Sequence, residues 1–145
     1  MNRDFVEILR ELSAAGADFL VVGAHALAAH DRPRATGDLD IWVRATPENA
    51  KKVWRALGVF GAPLHSVTLD DFSTPGITFQ MGLPPYRIDI LTAISGVTFD
   101  EAWPNRISNE FQGQPYPVIG KVDLIRNKIA SGRPKDLVDV DALRQ

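Results

Sequence analysis

Residues 19–43, FLVVGAHALAAHDRPRATGDLDIWV, constrain this chain most. They read as a buried strand over 19–22, a glycine turn at Gly23-Ala24 opening a helix of small residues, a polar loop around Pro33, and a second strand carrying Asp38-Leu39-Asp40. Successive strand side chains alternate faces, so Asp38 and Asp40 leave one side while Leu39 and Ile41 leave the other. Two carboxylates on one face repel unless a cation sits with them, and a hard divalent ion with oxygen ligands, Mg²⁺ or Mn²⁺, suits that pair. Upstream, the glycine lets backbone approach closely where a helix begins, and the free N–H groups there favour phosphate. A phosphate cradle fifteen positions before a metal platform points to chemistry on a nucleoside triphosphate.

The rest of the composition narrows the class. A chain of 145 residues is expected to form one domain over 1–145 with a single sizeable core. Cysteine is absent, which excludes disulfides and zinc–thiolate sites. The start, MNRDFVEILREL, is amphipathic and mixed in charge, and no apolar run reaches membrane-spanning length. A cytoplasmic protein without a membrane segment is the expectation. A net charge of −2 leaves no global footprint for nucleic acid, and the compact basic patches are Arg32/Arg34 and Lys51/Lys52/Arg55. Any RNA binding by the chain alone is therefore expected to be weak.

Along the chain, Asp4 with Glu7 resembles a capping box for a first helix whose apolar face is Phe5, Ile8, Leu9 and Leu12. Thr46-Pro47-Glu48 starts another helix, expected to end at Gly58. Residues 77–82 and 86–91 alternate as two strands of a hairpin around Leu83-Pro84-Pro85. Residues 105–115 read as polar connection, and 116–119 as a short edge strand because of its prolines. The C-terminus reads as a helical hairpin broken at Gly132 and restarted at Pro134.

Asp89 lifts the reading above a lone D-x-D. An unpaired carboxylate in the apolar strand Ile88-Asp89-Ile90 would be costly to bury. Either it pairs with a basic group, or it shares a cation with Asp38 and Asp40. Arg87, two residues away, shares its face and would balance charge there or meet a substrate phosphate. His25, in the first turn of the small-residue helix, either touches a phosphate or base or is a partly buried, locally bonded histidine.

These residues carry a resemblance. A strand ending in a glycine turn, a short helix and Asp-hydrophobic-Asp on the next strand resembles the nucleotidyltransferases of the DNA polymerase β superfamily. Gly23-Ala24 with Arg34-Ala35-Thr36-Gly37-Asp38-Leu39-Asp40 is similar to the small bacterial AbiEii-type toxin group. Ala24 departs from the usual Gly or Ser, removing a hydroxyl contact to phosphate while keeping backbone donors. The resemblance implies an α/β nucleotidyltransferase fold: a mixed, twisted sheet of about four or five strands, helices packed mainly on one face, and the C-terminal helical hairpin. It also implies a third carboxylate at Asp89 on an R-h-D-h-L strand, a site role for Arg34, and a turn or orienting role for Thr36. Lys128, Arg133, Lys135, Asp136 and Asp139 match its closing pattern. Lys128 then either reaches the triphosphate or pins the two helices through an ion pair with Asp136.

The function so implied is metal-dependent transfer of a nucleoside monophosphate from an NTP to an acceptor hydroxyl, with pyrophosphate released and a toxin–antitoxin setting. Asp38, Asp40 and Asp89 would be both metal ligands and catalytic carboxylates, with Gly23, Ala24, His25, Arg34, Thr36, Arg87 and Lys128 around the nucleotide. The acceptor is expected to be a protein, a small molecule or an RNA end presented by a separately encoded partner, rather than bare nucleic acid. Two alternatives stay open: a non-catalytic binding module or antitoxin-like partner keeping the fold, and a metal-dependent phosphohydrolase.

Overall fold

The computed structural model describes residues 2–32, 37–83 and 85–145. Helix α1 (Arg3–Ala14) is capped by Asn2, whose side chain accepts the Phe5 N–H at 3.0 Å. The cap is thus two residues earlier than the expected Asp4, which instead places its charge in the first turn, where the helix dipole favours it. Strand β1 (Phe19–Val22) runs into α2 (Gly23–Ala29), and β2 (Leu39–Val43) leads to α3 (Pro47–Phe60). Helix α3 runs past Gly58 and stops at Gly61, whose φ of 92° ends it in the left-handed conformation.

The remaining elements are β3 (Thr78–Met81), β4 (Ile88–Leu91), the single turn α4 (Phe99–Ala102), β5 (Ile107–Phe111), β6 (Gln114–Val118), α5 (Lys121–Ser131) and α6 (Pro134–Leu143). Among the described residues the sheet has six strands in the order β3-β4-β2-β1-β6-β5. It is mixed: β1/β2, β3/β4 and β5/β6 are antiparallel, while β2/β4 and β1/β6 are parallel. The count exceeds the expected four or five because residues 107–111 pair as a strand instead of forming a connection.

Gln112 and Gly113, with φ of 50° and 81°, close that β5–β6 hairpin in the mirror-image turn that matches strand twist. Strand β6 is not the edge; β5 is. Pro115 and Pro117 are tolerated in β6 because β1 pairs with it only at Val21↔Val118, so that side of the strand asks for almost no donors from them.

Register sorts the sheet into two faces. Val21, Ile41, Ile90 and Phe79 lie side by side on one. Helix α3 covers that face through the edge-on rings Trp54–Phe72 and Phe72–Phe79, at 6.1 and 5.9 Å. The opposite face carries Leu20, Trp42 and Leu91, then Val22, Asp40 and Asp89 in the next row. Phe99 of α4 meets Trp42 edge-on at 5.0 Å, leaving the acidic row to be walled by α5 and α6.

One buried polar residue locks this arrangement. Asn49, 4% exposed, accepts the Asp18 N–H at 2.7 Å and donates to the carbonyls of Asp18 and Arg44 at 3.0 and 2.9 Å. It joins α3 to the start of β1 and the end of β2. Asn49→Ala would orphan those buried groups, and a loss of roughly 2 kcal/mol in denaturant unfolding is expected.

Candidate active site

The acidic row follows from pairing. Parallel β2 and β4 set Asp40 directly beside Asp89, and antiparallel β1 sets Val22, the residue before Gly23, beside Asp40. Asp38 precedes β2 by one residue and contributes charge to the same place. Asp89 is 6% exposed. Arg87 donates Nε to Asp89 Oδ1 at 2.9 Å and Nη2 to Asp89 Oδ2 at 3.2 Å, and Nη2 also reaches Asp38 Oδ2 at 3.4 Å. Asp89 and Asp38 thus bind one guanidinium, whose own pKa is raised by its bond to Asp89 and by the charges of Asp89, Asp38 and Asp40.

Asp40 is the carboxylate this arrangement leaves under-compensated. Burial, the charges of Asp89 and Asp38 and a hydrogen bond to Asp89 push its pKa up to about 6, against which Arg87 pulls weakly down. Gly23 presses on the same side chain. Its φ is +70°, and a Cβ built there would overlap Asp40 Oδ2 and stand 3.2 Å from Cγ. Glycine is required here both by conformation and by space. Gly23→Ala is expected to cost at least ~1 kcal/mol from the left-handed backbone alone and to displace Asp40. Thermal unfolding and divalent-ion titration of the variant read the two effects separately.

Gly23 and Asp40 form one wall of a cavity of about 390 Å³; the other wall includes Asn127, Lys128, Ser131, Arg133 and Asp136. Lys128 is held by the hairpin: its Nζ donates to Asp139 at 3.0 Å and Asp136 at 3.4 Å, all three side chains being buried. Burial raises the Asp136 carboxyl, but bonds from Ser131 (2.5 Å) and Arg133 (2.6 Å) and the Lys128 charge outweigh it, leaving its pKa below the usual range. Lys128 thus makes the helix-pinning ion pair and also lines the acidic cavity.

Other candidates sit differently. His25 is half-buried, with Phe5 edge-on at 5.6 Å, and its Nε2 has no hydrogen-bond partner among the described residues. Burial lowers its pKa, opposed by the charge of Asp38. Ala24 opens α2 as read, though α2 has only seven residues. Arg34 and Thr36 lie outside the described residues. Arg32 spends its guanidinium on carbonyls, donating to Ala142 at 2.8 Å and Gln145 at 3.1 Å at the end of α6. Ser131 was not legible as a cavity residue; its one signal is its place just before the helix-ending Gly132.

The donor set can be compared with the divalent ion that such carboxylates imply. Among the described residues, no three acidic or histidine side chains already surround one ion-sized point, and the Arg87 guanidinium lies among the carboxylates. The chemistry nevertheless fits. The donors are all hard oxygen, and burial together with the charges of Asp89 and Asp38 penalises ionised Asp40, a penalty that a bound cation would relieve.

No protein-family model matches the chain, and no curated protein matches it by sequence. Solved structures do. A Thermotoga maritima protein (TM1012) classed as a nucleotidyltransferase is 16% identical with a TM-score of 0.58, over 99% of this chain and 93% of that one. The lincosamide antibiotic adenylyltransferase LnuA, solved with lincomycin bound, is 14% identical with a TM-score of 0.60, over 100% and 97%. The antibiotic-resistance factor ANT(2'')-Ia is 14% identical with a TM-score of 0.62, over 99% and 84%. At nearly full coverage of the chain, these likenesses identify its fold as that of the nucleotidyltransferases.

Proposed function

We propose that this chain is a nucleotidyltransferase, moving a nucleoside monophosphate from an NTP to an acceptor hydroxyl. The observation that carries the reading is Asp40 beside Asp89 on adjacent strands, with Asp38 just ahead of β2 and Gly23 packed against Asp40. Asp38, Asp40 and Asp89 would hold Mg²⁺ or Mn²⁺, which supplies neutralisation of phosphate charge and a lowered pKa for the acceptor hydroxyl. The chain's own part is positioning. Backbone N–H groups of the Gly23-Ala24 turn, with Lys128 across the cavity, face the space for the outer phosphates. Arg87 balances the carboxylates when the nucleotide is absent. Asp89 accepts the acceptor proton, and His25 is near enough to Asp38 to feel its charge. This chemistry depends mostly on such placement and charge.

The acceptor best supported is a small molecule. LnuA is an antibiotic adenylyltransferase of nearly the same extent as this chain, which favours that class over a partner-presented RNA end or a toxin–antitoxin target. The test uses the wild-type chain, Mg²⁺, each α-labelled NTP and a cell extract split into small and large molecules. Label entering the small-molecule fraction with matching pyrophosphate is the expected result. Inorganic phosphate alone would indicate a phosphohydrolase, and nucleotide binding without turnover would indicate a binding module.

A further inference from the structure

A second cavity, of about 450 Å³, lies on the same sheet face as the acidic row. Its lining includes Trp42, two residues beyond Asp40 on β2, so the two side chains project from one face about 7 Å apart along the strand. Ala93 and Ile94 line both cavities, which are therefore neighbours across one short segment. The volume falls in the range of small-molecule sites, which combine apolar walls with a few placed polar groups. Val97 and Phe99 supply apolar wall here.

Its charge is distinctive. The ionisable lining residues are Arg44 and Asp100. Arg44 is already engaged: Nε donates to Asp18 at 2.9 Å, Nη1 to Asp100, and the guanidinium lies over the Phe99 ring at 4.7 Å. One cation thus faces two carboxylates, and the Asp100 side chain is 86% exposed at the cavity. The lining pair sums to zero, and Asp18, which holds Arg44 from outside the lining, brings the cluster to one net negative charge.

We propose that this cavity is the acceptor subsite, taking a hydroxylated small molecule with an apolar ring body and an amine that meets Asp100. The assignment rests on the nucleotidyl-transfer reading for its chemistry. A ligand seated against Trp42 and Phe99 turns its hydroxyl across Ala93-Ile94 toward Asp40 and Asp89. The hydroxyl oxygen forms the new bond to the α-phosphorus while the bond from that phosphorus to the α–β bridging oxygen breaks. Pyrophosphate leaves with the electron pair, and the hydroxyl proton passes to a carboxylate of the acidic row and on to solvent.

The test titrates two probes into the ¹⁵N-labelled chain: propranolol, an aryl ether with a secondary alcohol and an ammonium, and its neutral diol analogue 3-(1-naphthyloxy)-1,2-propanediol. Propranolol is expected to shift the Trp42 indole and the amides of residues 97–99, and to bind more tightly than the diol. Ala45→Trp, which fills the cavity, should weaken propranolol roughly tenfold or more, the equivalent of about 1.4 kcal/mol. The exposed Asp100→Asn, which leaves the core untouched, should erase the preference for propranolol over the diol. Asp40→Asn should leave probe binding intact.

Absence of propranolol binding at millimolar concentration, or shifts confined to the Gly23–Lys128 cavity, would overturn the assignment. The same holds if propranolol binding survives Ala45→Trp, or if its preference over the diol survives Asp100→Asn. The two readings fail separately. Probe binding without nucleotide transfer to any acceptor removes the transfer reading and leaves the pocket. Transfer whose acceptor KM is unchanged by Ala45→Trp removes the pocket and leaves transfer.

Discussion

Asp40→Asn is expected to lower nucleotide transfer by two to three orders of magnitude or more while raising the melting temperature of the metal-free protein at pH 8. The two effects share one cause. Asp40 is held by burial and by Asp89 and Asp38 in a place that penalises its ionised form, so its pKa stands at about 6 rather than 3.8. A raised carboxyl pKa means the folded state keeps a proton that the unfolded chain has lost. Stability therefore falls as pH rises from about 4 to about 6 and stays reduced above that. The shift caps the penalty at about 3 kcal/mol, and partial solvent access reduces it to roughly 1–2 kcal/mol.

Asparagine keeps the shape and can donate to Asp89 without the charge. Its advantage in melting temperature should be near zero at pH 4 and several degrees at pH 8. Saturating Mn²⁺ with nucleotide should reverse the order, stabilising the wild type and not the variant.

Lys128→Met should destabilise the chain by roughly 3–4 kcal/mol, because it keeps the volume and removes the ammonium from between buried Asp136 and Asp139. The pH dependence carries the sign. In the wild type Asp136 has a depressed pKa, so its contribution is complete above the unfolded value near 3.8 and is lost as pH falls through the lower folded value. Removing Lys128 takes away one of the effects that hold Asp136 low, while the bonds from Ser131 and Arg133 remain, so acid should relieve part of the added penalty. Denaturant unfolding at pH 4.5 and pH 8 should show the variant's deficit shrinking in acid. An unchanged deficit at both would mean that Lys128 acts through packing alone.

The parts of this molecule legible in the sequence are those fixed by local pattern. Strand β1 and the glycine turn are where the apolar run and Gly23 place them. The D-x-D alternation puts Asp40 on the site face, and the cost of burying a carboxylate in an apolar strand marks Asp89. The parts that were missed depend on partners distant in sequence. Residues 107–111 are polar and precede prolines, so nothing local marks them as a strand until β6 lies alongside. Arg32 reads as a basic patch until the end of α6, over a hundred residues away, offers it carbonyls. Gly23 reads locally as a phosphate cradle, and its tight packing on Asp40 depends on β1 lying beside β2.

The central claim, that Asp38, Asp40 and Asp89 form one cation-binding row for a triphosphate, is tested most directly by Mn²⁺ electron paramagnetic resonance with a non-hydrolysable ATP analogue. Bound Mn²⁺ loses the free-ion signal. Saturable uptake by the wild type is expected, with loss of that uptake in Asp40→Asn and in Asp89→Asn while both variants remain folded. Equal Mn²⁺ uptake by wild type and Asp40→Asn would contradict it.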